Sequence, residues 1–170
     1  GADEAYHHYP VRFFFRFEEP YYSVSSIALL ALDTASLIKS GLDDEEYRWL
    51  KESATLTQLN AAAHRLVYNL FESFLHGPPE QPTGLDPAAA VRWRARYQAA
   101  LRRLQQAGIE TIADEEEGAA TYMALRLRWD YLITELAPHL GYTMAEIDPE
   151  GSDPGQSDTR PEFSARLRSE

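Results

Sequence analysis

An all-α fold, an antiparallel helical bundle of about four main helices, follows from three features of the sequence. Apolar residues recur at spacings of three and four through four stretches, and proline and glycine fall between those stretches. A single short run alternates as a strand would, with no second run to pair with it. The expected organisation is an N-terminal aromatic arm over residues 1–20, a bundle over 21–148 and a flexible tail over 149–170. With 170 residues, 44% of them hydrophobic and 12% aromatic, the chain has the material for one core.

In the arm, Tyr9-Pro-Val-Arg-Phe-Phe-Phe-Arg-Phe places Val11, Phe13, Phe15 and Phe17 on one parity and Arg12, Phe14 and Arg16 on the other. Alone this is a strand pattern, but an unpaired edge so apolar invites aggregation, so a short helix or packed arm is the better reading. The first long helix is expected over about 21–40, with Val24, Ile27, Leu30, Ala31, Ala35 and Ile38 on one stripe and Leu29 and Leu32 widening it. It should be the most buried helix, stopped at Gly41.

Asp43, with Glu46 three residues on, resembles a capping box. Leu56, Leu59, Ala63, Leu66, Val67, Leu70, Phe71 and Phe74 then hold helical spacing as far as His76-Gly77. The proline- and glycine-rich stretch 77–84 is a loop. Asp86-Pro87 supplies an N-cap followed by proline at the first helical position. The third helix turns Trp93, Tyr97, Ala100, Leu101 and Leu104 inward and Arg92, Arg96 and Arg103 outward, and ends at Gly108.

Asp114 and Glu115 to Glu117 mark the positive end of a fourth helix, with Ala119, Tyr122, Leu125, Trp129, Leu132, Ile133 and Leu136 as its stripe. Pro138 and Gly141 close it. Beyond Pro149 the residues are mostly Pro, Gly, Ser, Asp and Glu, too little apolar surface to offset the entropy of ordering.

Sixteen Lys and Arg against 27 Asp and Glu give a formal charge of −11, which disfavours nucleic acid as a partner. The absence of cysteine removes disulfides, thiolate metal sites and a cysteine nucleophile. The longest uninterrupted apolar run, Ile27 to Leu32, ends at Asp33 and falls short of the ~18 residues of a membrane span. The start, Gly1-Ala2-Asp3-Glu4, has no secretory pattern and no Met, as expected of a segment excised from a longer chain.

No catalytic site, metal site or cofactor is expected. None of the five histidines has a carboxylate three residues before it on an expected helix, the Glu-x-x-His spacing of metal-binding bundles, no His-Glu-x-x-His occurs, and His7-His8 point apart on any regular element. The acidic runs 43–46 and 114–117 lack the alternating ligands and central glycine of a calcium loop, and helix-start stabilisation explains them. Nucleotide-binding and serine-nucleophile signatures are missing. An enzyme on this bundle would have to use inward carboxylates such as Glu72 or Asp130, with no base, nucleophile and orienting group to name together.

Arg12, Arg16 and Asp33 are the binding candidates. One carboxylate interrupts the most hydrophobic helix and two cations lie in the aromatic arm, and a charge so placed needs a partner. An Arg16–Asp33 or Arg12–Asp33 ion pair docking the arm is the structural reading, and an anion site at the arginines is the functional one. The stripe of Arg92, Arg96 and Arg103 reads as a solvated face, or as a surface that meets an acidic neighbouring subunit or anionic lipid.

Tyr9-Pro-Val-Arg-Phe-Phe-Phe-Arg, then Tyr21-Tyr22, then Ile27-Ala-Leu-Leu-Ala-Leu-Asp-Thr-Ala-Ser-Leu-Ile38, together with Trp129-Asp-Tyr-Leu-Ile133, resembles the region after the pore in bacterial two-transmembrane potassium channel proteins. There the pattern runs roughly Ser-Tyr-Pro-Val-Leu, aromatic-Arg, Ser-Trp and an apolar helix containing Leu-Asp; this chain has His8 for the Ser and Tyr22 for the Trp. The resemblance implies a cytosolic assembly or gating domain on the cytoplasmic side of the bacterial inner membrane. The membrane helices and selectivity filter would lie upstream. Its partners would be its own upstream pore domain and neighbouring subunits in a homo-oligomer, with membrane contact only by attachment. It carries over no site residue. The alternative is a stand-alone helical regulator that binds a protein partner.

Overall fold

The structure is a computed structural model that describes residues 9–77 and 80–140, with side chains from residue 24 onward. Among the described residues it is an all-α antiparallel bundle of six helical segments: α1 (Tyr9–Gly41), α2 (Arg48–Lys51), α3 (Ala54–Phe74), α4 (Pro87–Gln106), α5 (Glu115–Leu127) and α6 (Asp130–His139). No strand forms among them; one isolated bridge joins Leu42 to Thr111. The expectations for residues 1–8 and for the tail fall outside the described residues.

Helix α1 is the axle of the fold. Its C-terminal half packs on α3 along one side and α5 along another, with α4 and α6 touching it more narrowly. It begins at Tyr9 rather than near residue 21, so the aromatic arm and the first long helix are one continuous helix. Alternation over a run this short, with Phe14 among the residues of the other parity, does not exclude a helix.

The buried face of α1 is rotated from the expected stripe. Ala28, Leu29, Leu32 and Ala35 are buried together with Ser25, Asp33, Ser36 and Ser40, whereas Ile27 and Leu30 are 62% and 63% exposed. Small and polar residues let the neighbouring helices come close, and that decides the orientation over side-chain hydrophobicity. Ser36 and Ser40 satisfy their hydroxyls on the carbonyls of Leu32 and Ser36, at 2.8 and 2.7 Å.

By length and composition Val24–Gly41 meets the criteria for a membrane-crossing helix, contrary to the reading of the uninterrupted run alone. Half of it is buried against the other helices, as in the core helix of a bundle.

The expected second helix is divided. Asp43 Oδ1 accepts from the backbone N–H of Glu45 and Glu46, both at 2.9 Å, capping a turn that leads into α2. Ser53 Oγ then accepts from Leu56 N at 3.1 Å to begin α3 anew. Helix α3 buries Leu56, Ala63, Val67 and Phe71, a narrower stripe than expected, with Leu59 and Leu66 partly in solvent.

Helix α4 starts as the sequence predicts, with Asp86 Oδ2 accepting from Ala89 N at 3.0 Å and Pro87 in the first turn. It ends at Gly108, whose φ of +76° suits glycine, with Ile109 N–H bonded back to Leu104 O at 3.0 Å. Asp114 caps α5 through Glu116 N and Glu117 N at 3.1 and 3.0 Å.

The expected fourth helix breaks at Arg128-Trp129 into α5 and α6, and Pro138 sits within the last turn of α6. The break lets Trp129 drop into the core beside Leu132 and Ile133, a cluster completed by Leu29, Leu32, Ala63, Val67 and Phe71. A second cluster joins Trp93, Tyr97 and Leu101 of α4 to Ala119 and Tyr122 of α5.

Candidate functional site

Asp33 stands where the two clusters meet. Its Oδ2 accepts from Arg96 Nε and Nη2 at 3.0 and 2.8 Å, and its Oδ1 accepts from the Tyr122 hydroxyl at 2.5 Å and from Arg126 Nη1 at 3.2 Å. Four donors fill the four acceptor positions of a carboxylate. Arg126, almost wholly buried, also donates through Nη1 to Tyr122 Oη at 3.0 Å and through Nε to Asp130 Oδ1 at 2.9 Å. Its guanidinium carbon lies 5.3 Å from the Trp93 ring centre and 5.1 Å from that of Trp129, so two indoles flank the cation. Trp129 Nε1 closes the circuit on Ser36 Oγ at 3.3 Å.

This network joins α1, α4, α5 and the α5–α6 junction, and its two arginines balance its two aspartates. The expectation that Asp33 needs a cation holds, but Arg96 and Arg126 supply the charge. Arg12 and Arg16 lie on α1, and their side chains are outside those described. Arg96, expected to face outward, turns in. Arg126 was legible as an arginine in the 122, 126, 129, 133 spacing of an apolar stripe, where Leu125 had been placed.

Burial, with the Asp33 carboxylate adding to it, pushes the Tyr122 phenol well above its ordinary range, so it stays protonated. Burial likewise raises Tyr97 to about 12, with Glu115 adding to the effect. The Tyr97 hydroxyl donates to Ser40 O at 2.9 Å, and its ring lies 5.4 Å from that of Tyr122. Neither carboxylate named in the enzyme alternative is a free inward group. Glu72 is exposed, and Asp130 is engaged with Arg126.

His76 and His139 border a small hollow of about 380 Å³ with Glu80 and Glu135, yet among the described residues no three ligating side chains are placed to share one ion.

The other feature is a groove of about 1210 Å³ between α1 and α4. Leu30, Leu37, Ile38 and Leu42 line one wall and Val91, Ala95, Ala99 and Leu104 the other, with Tyr47, Leu50 and Ile109 at one end. Asp33 and Arg96 close part of its base, and Arg92 and Arg103 stand on its α4 side. From Leu30 to Leu42 the groove extends about 18 Å at a helical rise of 1.5 Å per residue. Alanines at 88, 95, 99 and 100 keep α4 slim there, which is what leaves the space. The exposure of Leu30 and of Val91, at 63% and 71%, extends the apolar surface to the lip. All three arginines of the expected solvated stripe therefore border the groove.

The chain matches no protein-family model, no curated protein and no solved structure.

Proposed function

We propose that this chain is a non-catalytic protein-binding regulator whose recognition surface is the α1–α4 groove. The observation that carries the reading is the groove itself, three helical turns long, apolar in its walls and bordered by Arg92, Arg96 and Arg103 in a chain of net charge −11. An apolar trough between two helices takes a third helical segment through side chains on one face. Arg92 selects carboxylates beside that face, so the partner is a helical protein segment with an apolar or aromatic anchor flanked by Asp or Glu. The buried network supports this by fixing α1 and α4 relative to each other through Asp33 and Arg96.

The test is a panel of helical peptides sharing one apolar face and differing in flanking Glu, Gln or Lys, titrated by fluorescence anisotropy. Glu-flanked peptides bind most tightly, and Ala95→Glu in the groove wall abolishes their binding. Equal binding of Lys-flanked peptides, or no binding at all, contradicts the proposal.

A second reading is a regulatory domain of a potassium channel. What favours it is that the stretch carrying the resemblance forms one continuous helix, α1, which would couple an upstream segment to the centre of the bundle. Potassium flux from the gene's complete upstream reading frame in membranes, with and without this domain, decides it. A frame with no pore, or flux indifferent to the deletion, removes it.

A further inference from the structure

The groove ends against the turn that carries α2, where Tyr47 and Leu50 form its wall. Between them in sequence, Trp49 lies outside the groove's lining and is 70% exposed. A tryptophan left in water exposes a large apolar surface, and it is the side chain most often found as an anchor at protein interfaces. Around it the chain reads Asp43-Asp44-Glu45-Glu46-Tyr47-Arg48-Trp49-Leu50-Lys51-Glu52, in which Asp44, Glu45, Glu46 and Glu52 are exposed. Asp44 is held by Lys51 at 2.6 Å.

An aromatic anchor flanked by carboxylates on a helical turn is the partner chemistry that the groove selects, and it occurs on the same molecule, next to the groove's own end. It cannot fill its own groove, because Tyr47 and Leu50 already form that wall. We infer that the groove's partner is a second copy of this chain, with Trp49 of one protomer seated in the groove of the other and the reverse. Knob and hole lie side by side, so a two-fold axis between them satisfies both contacts and closes the assembly as a dimer, whereas a separated knob and hole would propagate a filament. Two chains each of net charge −11 repel at a distance, so a close approach requires the carboxylates of one to meet cations of the other. Arg92 on the α4 wall answers the acidic turn around Trp49 in that way. This inference rests on the reading of the groove as a protein-binding surface.

Sedimentation velocity on the full chain, from low-micromolar to near-millimolar concentration, tests it, with circular dichroism confirming that each variant is folded. Wild type dimerises. Trp49→Ala and Ala95→Glu, both at exposed positions, each weaken the dimer by at least about 30-fold, the loss expected for an interface anchor. Mixing the two variants restores association in part, because one brings an intact groove and the other an intact tryptophan, and one of the two reciprocal contacts is regained. Dimerisation of Trp49→Ala at wild-type strength, or a wild type that stays monomeric throughout, overturns the inference. If the wild type is monomeric yet binds Glu-flanked peptides in the groove, only self-recognition fails; if it binds neither, the reading of the groove fails as well.

Discussion

The Tyr122 hydroxyl donates to Asp33 Oδ1 over 2.5 Å, joining α5 to the central helix across 89 residues of sequence. Both groups are buried, and the same carboxylate oxygen also receives Arg126. The bond fixes the rotation of α5 about its own axis relative to α1, while Arg96 ties α4 to the other oxygen of the same carboxylate.

Asp33→Asn leaves Arg96 and Arg126 without their shared counter-charge, and breaking a buried pair in this way costs about 3–5 kcal/mol. Asp44→Asn removes only the exposed partner of Lys51 and costs less than about 1 kcal/mol. Urea midpoints of the two variants measure the contrast.

Gly118→Ala sets two effects against each other. Alanine favours a helix over glycine by about 1 kcal/mol. A Cβ at Gly118, however, would stand 2.0 Å from the Tyr97 hydroxyl and 2.8 Å from Ser40 O. Those atoms bond each other and the second is backbone, so neither gives way cheaply. The variant is destabilised by about 1–3 kcal/mol or more, as overpacking costs, and thermal denaturation reads it.

Alkaline unfolding follows from the buried phenols. Tyr97, at about 12, and Tyr122 keep their protons in the fold at pH values where an unfolded tyrosine, near 10, has lost its own. An acid whose folded pKa is raised contributes stability that is full below the unfolded value and falls as pH rises through the window up to the folded one. Stability is therefore level up to about pH 10 and declines from there toward 12, with tyrosinate absorbance appearing together with loss of helix.

His64 gives an acid counterpart. Burial first, and the nearby Arg128 second, lower its pKa from 6.5. Its neutral form is favoured in the fold, so its contribution is present above the unfolded value and is lost as pH falls below 6.5 through the folded one. Replacing it by glutamine flattens the stability profile over that window, as chemical denaturation at stepped pH will show.

Much of the frame was readable because it is local. The caps at Asp86 and Asp114 and the stop at Gly108 each depend on residues within a few positions. The breaks at Ser53 and at Arg128-Trp129 were hidden, since apolar spacing continues across both and only the docking of Trp129 beside α1 decides the second. The rotation of α1 was hidden for a similar reason. Ser25, Ser36 and Ser40 are buried because other helices approach there, and no pattern within α1 announces that.

The candidate site was half legible. Asp33 stood out as a carboxylate in an apolar helix, but its partners lie 63 and 93 residues away, on helices whose relative placement only the fold provides. Of the arginine stripe, Arg96 turned out to be shared with the core. Trp49 drew no notice because exposure, and not residue type or spacing, is what marks it.

The most direct measurement of the groove's role is an amide chemical-shift map of the labelled protein on titration with a Glu-flanked amphipathic peptide. The account predicts saturable shifts confined to Leu30, Leu37, Leu42, Val91, Ala95, Ala99 and Leu104, and their disappearance in Ala95→Glu. Saturable shifts gathered on α3 and α6, with the α1–α4 residues unmoved, would contradict it.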